Sequence, residues 1–143
     1  MAKKNTWKTK AAAKVALAAG LDALRIGGEA ILTEGIDEAP LETGTLRRSG
    51  TVTVGALPDH QSVYAASEAG TSHKGAFDKP VGTAKAVFVS FSTPYARRQH
   101  EEVGYHHPVA GKAKYLEDPF KRNRQKVLKL AEQRMQKALK DAE

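Results

Sequence analysis

Apolar residues recur at helical spacing in the first quarter of the chain. Four large ones follow one another at steps of four, three and seven: Leu17, Leu21, Leu24 and Ile31. Gly28 occupies the missing step, and Gly35 follows as a plausible stop. One helical face repeats every three to four residues, so the pattern predicts an amphipathic helix over residues 6–33.

A second long helix is predicted at the other end of the chain. Asp118 and Pro119 supply a cap and a first-turn proline, and the pattern continues to about Leu139. Its predicted buried stripe consists of Phe120, Val127, Ala131, Met135 and Ala138. Its predicted outer face carries Lys121, Arg122, Arg124, Lys126, Arg134, Lys137 and Lys140.

The middle of the chain alternates as strands do. Residues 85–91 are β-branched and aromatic and predict the best strand, while 51–54 and 61–66 predict weaker ones. Residues 104–116 predict a loop or hairpin that ends in a short strand at 113–116. Long helices outside a short run of strands indicate an α+β fold with a small antiparallel or mixed sheet.

The connecting segments are marked by turn residues. Residues 37–50 predict a turn-rich connection with one helical turn, capped by Thr43 or Thr45. A short middle helix is predicted from Thr93-Pro94 to about Glu101. Residues 70–82 lack any hydrophobic period, which predicts a long mobile loop within a single domain of residues 1–143.

Composition excludes several classes of protein. The chain has no cysteine, which rules out a disulfide framework, a thiolate zinc site and a cysteine nucleophile. Its 23 Lys and Arg against 16 Asp and Glu give a net charge of +7. That balance favours nucleic acid or another acidic partner, although a solvated lysine-rich surface explains it equally well. The longest weakly polar stretch, residues 11–19, is too short to cross a bilayer.

Few patterns in the sequence indicate catalysis. Neither a phosphate-binding loop, a G-x-S-x-G elbow nor a dinucleotide fingerprint is present. His100-Glu101 followed by His106-His107 is the most tempting metal-binding pattern, but H-E-x-x-H would require a histidine where Gly104 stands. We therefore expect a non-enzymatic protein without a metal or cofactor, with a metal-dependent enzyme as the weakest alternative.

Two stretches together resemble a known family. The first motif, APLETGTLRRS at residues 39–49, resembles the "AP-x-x-TG-x-LR-x-S" signature of small neck and tail-completion proteins of long-tailed bacteriophages. The second motif, PYARRQHEE at 94–102 with GKAKYLEDP at 111–119, is similar to that family's "PYA-x-x-QHE…G-x-AKYLE-x-P" stretch. Residues 64–71, YAASEAGT, also look like the "YA…E-x-GT" element of related tail components, and that match would shift the position of the sheet.

The resemblance implies a structural virion protein at the head–tail interface. Its implied partners are copies of itself in a ring of six, an adjacent neck or connector protein, the tail tube protein, and viral DNA passing through the lumen. Its implied location is the neck or tail of the virion, after assembly in the host cytoplasm and without a membrane. The alternatives are a terminator ring that caps the tail tube and a basic nucleic-acid-binding module.

The residues expected to contact neighbouring subunits lie in turns and near the short middle helix. The candidates are Arg47, Arg48, Lys74, Tyr95, Arg97, Arg98, Gln99, His100, Glu101, His106 and His107. Basic and aromatic side chains of this kind offer donors and a partly apolar surface to a partner.

Overall fold

The fold is seen in a computed structural model that describes residues 2–41, 43–71, 85–105, 107 and 110–142, with side chains from residue 8 onward. The described residues form five helices and two strands: α1 (Ala2–Glu38), α2 (Thr45–Arg48), β1 (Gly50–Val54), α3 (His60–Glu68), β2 (Val87–Phe91), α4 (Ala96–Glu101) and α5 (Glu117–Asp141). The predicted α+β class is confirmed, with a long helix at each end, a short one before α5, and a small antiparallel sheet.

The two long helices pack against each other in antiparallel orientation. Gly20 of α1 lies against Met135 of α5, and Gly27 lies against Val127. A Cβ placed on Gly27 would lie only 2.5 Å from a Val127 methyl, so the close approach requires glycine. Small residues of α1 therefore line its contact with α5. The larger apolar residues that the sequence predicts for this face of α1 lie beside the contact.

Burial along α1 follows from this packing. The buried positions include four small residues at helical steps of four, three and four: Ala16, Gly20, Ala23 and Gly27. Ile31 is also buried, as predicted, whereas Leu17 and Leu24 are half-buried. The helix extends past the predicted end at residue 33, because Gly35 packs against the backbone of Tyr115 instead of ending the helix.

The sheet lies on the C-terminal half of α1. β1 and β2 pair with Val52 opposite Val89 and Val54 opposite Val87. Gly28 of α1 faces these valines, since a Cβ there would lie 3.2–3.3 Å from the methyls of Val52, Val87 and Val89. The strands predicted at 51–54 and 85–91 are thus confirmed, with slightly different bounds.

Two of the predicted strands are wrong. Residues 61–66 lie in helix α3, whose cap is Asp59: the Asp59 carboxylate accepts a hydrogen bond from the Gln61 N–H. Val63 and Ser67 are buried one turn apart, a spacing that in so short a segment also resembles strand alternation. Residues 113–116 form turns because Lys114 has a φ of 56°, which interrupts an extended backbone.

The predicted caps are also wrong. Helix α4 begins only at Ala96, because a turn between the Thr93 carbonyl and the Ala96 N–H precedes it. Neither threonine caps α2, where Gly44 with a φ of 82° takes the position. Asp118 lies inside the first turn of α5 rather than before it.

Most of the burial and exposure predicted for α5 is confirmed. Ala131 is buried, Val127 and Met135 are half-buried, and all seven basic residues assigned to the outer face are exposed. Phe120 is a correction, because its side chain is 51% exposed rather than part of the buried stripe. The predicted loop at 70–82 lies, except for Gly70 and Thr71, outside the described residues.

Candidate interaction surface

The two sequence motifs meet in one buried cluster. Ala39 and Leu46 from the first motif pack with Ala96 and Tyr115 from the second. The Tyr115 hydroxyl donates a 2.7 Å hydrogen bond to the Ala96 carbonyl, and burial raises the pKa of that hydroxyl. These motif positions therefore build the core on which the candidate interface residues stand.

The backbones of the two motifs also run side by side. The Leu41 N–H donates to the Ala110 carbonyl at 3.0 Å, and the Lys112 N–H donates to the Glu38 carbonyl at 2.9 Å. Gly111, with a φ of 98°, lies so close to Pro40 that a Cβ would come within 2.4 Å of the Pro40 Cα. Glycine at 111 is thus needed both for the turn and for the close approach.

Arg47 and Arg48 are half-buried, and their guanidinium groups bind backbone carbonyls. Arg47 donates from Nε to the Ala39 carbonyl at 2.9 Å and from its terminal nitrogen to the Asp37 carbonyl at 3.0 Å. Arg48 donates from Nε to the Ser67 carbonyl at 2.9 Å. Both guanidinium groups satisfy carbonyls at the C-terminal ends of helices, where a positive charge is favoured. The turn sequence predicts that both arginines face out to solvent, and this prediction is wrong in that carbonyls of the same chain take up their donors while the side chains stay half-buried.

His100 and Glu101 belong to a charged rim with Lys114 and Glu117. His100 Nε2 accepts a 3.2 Å hydrogen bond from the Glu117 N–H at the start of α5, which leaves Nδ1 to donate to the Glu101 carboxylate at 2.7 Å. Lys114 Nζ donates to the other Glu101 oxygen at 2.6 Å and lies 3.4 Å from the Glu117 carboxylate. The imidazole thus caps α5 from a distant part of the chain.

The ion pairs of the charged rim shift its pKa values in opposite directions. The Lys114 hydrogen bond, followed by that from His100, lowers the pKa of the Glu101 carboxyl. In return, the Glu101 carboxylate raises the pKa of the Lys114 ammonium. Both groups are therefore held in their charged forms, which keeps the rim hydrophilic at neutral pH.

The charged rim borders an open apolar groove of about 590 Å³ between α1, β2 and α5. Its apolar walls come from three elements and the turn before α5: Leu24, Gly28, Ile31, Val87, Phe88, Val89, Leu116, Phe120 and Val127. One edge of β2 pairs with β1, and its other edge has no partner strand within the described residues. The groove thus combines apolar side chains with a free strand edge.

The remaining candidates lie away from the groove. Tyr95, 38% exposed, and half-buried Gln99 line a narrow pocket beside Pro40. Arg97 and Arg98 are exposed on α4. His107 is half-buried. Lys74 and His106 lie outside the described residues, so the structure brings together only His100 and Glu101 of the predicted set at the groove.

Sequence reasoning missed several groove residues. Lys114 and Glu117 looked like parts of a motif, and Phe120 looked like part of a buried stripe. The local sequence does not separate Phe120 from the buried stripe, because its exposure depends on which part of α5 is covered by α1.

No group of three or more His, Asp or Glu side chains suited to a metal ion occurs within the described part of the chain. Among those same residues, no helix has the length and apolar character needed to cross a membrane. No protein-family model matches the chain, and neither curated proteins nor solved structures give a significant match.

Proposed function

We propose that this chain is a structural subunit of a tailed-phage particle, one of six copies in a ring at the head–tail junction through which DNA passes. The resemblance of the two motifs to neck and tail-completion proteins carries the assignment to a phage particle. The apolar groove with its free β2 edge is the structural observation that supports contact between subunits. A partner subunit would cover the groove and pair with the strand edge.

The physical case for a protein partner rests on exposed apolar surface. Phe120 is 51% exposed at the groove, and half-buried valines of β2 line it. Apolar patches rimmed by polar groups mark protein contact sites. An unpaired strand edge adds backbone N–H and C=O groups that a neighbour can satisfy. A groove on one side of each subunit suits a heterologous contact, which closes into a ring by rotation.

Phe120→Asp tests the groove directly. A charge at this position should prevent apolar contact with a neighbour, while its exposure in the isolated chain should leave the fold intact. The matched control is Leu57→Asp, because Leu57 is 55% exposed and does not line the groove. Light scattering and electron microscopy should show rings for the wild type and Leu57→Asp, and monomers for Phe120→Asp with an unchanged circular dichroism spectrum.

Two results would contradict the proposal. One is a wild-type chain that remains monomeric at all concentrations and is absent from purified phage particles. The other is normal ring formation by Phe120→Asp. Immunoblots of separated heads and tails locate the ring further: retention on isolated tails would make it a terminator of the tail tube instead of a joining ring.

A further inference from the structure

Charge is unevenly distributed along the antiparallel α1/α5 pair. Toward the end that extends beyond the sheet, residues 8–21 and 129–141 carry seven basic and two acidic side chains. Toward the sheet, residues 22–38 and 117–128 carry five basic and seven acidic ones. Several of those five are neutralised by ion pairs, such as Arg122 with Glu38 at 2.6 Å. The excess positive charge therefore lies on the projecting end.

Four lysines form a row on the outer side of α5. They follow one another at steps of three, eight and three: Lys126, Lys129, Lys137 and Lys140. These steps place all four on one helical face. Val127 and Met135 contact α1 from the other side of the helix. This lysine row is exposed along its length, and none of its members forms an ion pair with a described side chain.

The dimensions and chemistry of the lysine row suit a duplex backbone. Fourteen residues of helix rise about 20 Å, a length over which double-stranded DNA presents several phosphates. Lysine is a flexible point charge that neutralises phosphate without reading bases. No aromatic side chain interrupts residues 126–140, so the row lacks the stacking platforms that single strands require.

A membrane surface fits this region less well than DNA. Helices that lie in a bilayer interface carry a free apolar face beside their basic one. On α5, Ala131 is buried, and Val127 and Met135 pack against α1, so the large apolar side chains left exposed beside the lysine row are mainly Leu128 (50% exposed) and Leu139 (43% exposed). The three lysines of α1 at the same end, Lys8, Lys10 and Lys14, are exposed as well and raise the local positive potential.

We infer that the lysine row binds the phosphate backbone of double-stranded DNA independently of sequence. The inference rests on the proposed function for the origin of that DNA, namely the viral genome passing through the ring. It assigns contact with DNA to the lysine row, three of whose four members lie on the projecting end of the α1/α5 pair, and contact between subunits to the groove.

The test compares two double variants of the full chain with equal loss of charge. Lys129→Gln/Lys137→Gln removes two members of the lysine row, and Lys85→Gln/Lys121→Gln removes two exposed lysines outside it. Glutamine has a helix propensity close to that of lysine, so folding should be unaffected. Fluorescence anisotropy with two unrelated duplexes over a series of salt concentrations gives the affinity and its salt dependence.

We expect the row variant to bind both duplexes roughly tenfold more weakly or worse, with a salt slope lower by about two. The control variant should match the wild type. Absence of duplex binding at low salt, equal losses in both variants, or binding to anionic phosphatidylserine vesicles without binding to DNA would each overturn the inference.

Electron microscopy of the same samples separates this inference from the proposed function. Rings formed by a row variant that no longer binds DNA support both proposals. Rings formed by a wild type that never binds DNA overturn the DNA contact and leave the proposed function standing. A chain that binds DNA through the row but never assembles contradicts the ring instead.

Discussion

Replacing Gly27 with alanine should destabilise the protein, although alanine is the better helix former. A Cβ at this position would lie 2.5 and 2.7 Å from the two methyls of Val127 and 3.1 Å from its Cβ. Carbon atoms in contact normally stay 3.5–4.0 Å apart, and the β-branched valine has little rotamer freedom in a helix. The helices must therefore separate by about an ångström.

The expected magnitude follows from two opposing contributions. Overpacking of this kind costs about 1–3 kcal/mol, and the gain in helix propensity over glycine offsets about 1 kcal/mol. The net loss should be about 1 kcal/mol, which lowers the Tm by roughly 3 °C in a chain of this size. Gly20→Ala is the matched control, because its Cβ would meet Met135 Sδ at 2.8 Å and Cγ at 2.9 Å, and this flexible side chain can move aside.

Urea denaturation followed by far-ultraviolet circular dichroism measures both variants. The double variant Gly27→Ala/Val127→Ala should lose less stability than the two single variants lose together. Removal of the Val127 methyls makes room for the alanine methyl at position 27. Equal stability of Gly27→Ala and Gly20→Ala would contradict the close packing at Gly27, as would a double variant whose loss of stability equals the sum of the losses in Gly27→Ala and Val127→Ala.

Three further predictions concern the motif cluster and the charged rim. Gly111→Ala should cost about 1–2 kcal/mol more than Gly70→Ala, since both have positive φ but only Gly111 faces backbone atoms; equal urea midpoints would refute the close approach. Tyr115→Phe should cost about 1 kcal/mol in thermal unfolding, because it removes the buried hydrogen bond from the Tyr115 hydroxyl to the Ala96 carbonyl, and an unchanged Tm would count against this role. The lowered pKa of Glu101 means that its ion pair with Lys114 stabilises the fold above pH 4.5 and is lost as the pH falls through the lowered pKa. Glu101→Gln should therefore weaken the acid-side decline of the urea midpoint between pH 7 and pH 3, and parallel declines in both proteins would contradict it.

Local patterns along the chain were enough to predict the two long helices and the two strands. The periodicity of α5, for example, depends on neighbours three and four residues apart, and these are visible in the sequence. The strand at 85–91 is recognisable because β-branched and aromatic residues favour an extended backbone whatever their partners. The α+β class followed from the order of these elements.

Other features depended on contacts between residues far apart in sequence. Residues 61–66 alternate as a strand would, but they lie in a helix in which Val63 is buried and the Ser67 carbonyl accepts a hydrogen bond from Arg48. The prediction that Phe120 is buried assumed that a single neighbouring element covers the whole apolar stripe of α5, from Phe120 to Ala138. In the fold, α1 covers Val127 and Met135 and leaves Phe120 at the groove.

The roles of the motif residues were likewise decided by tertiary structure. Arg47 reads as an exposed cation in the sequence, yet the end of α1 lies within reach and its carbonyls take up the guanidinium donors. His100 resembles part of a metal site, but the fold brings the first N–H of α5 to its Nε2. The sequence by itself determined the two long helices, the two strands that form the sheet, and how basic the chain is. The tertiary structure decided which side chains are buried, because burial depends on which segments meet in space.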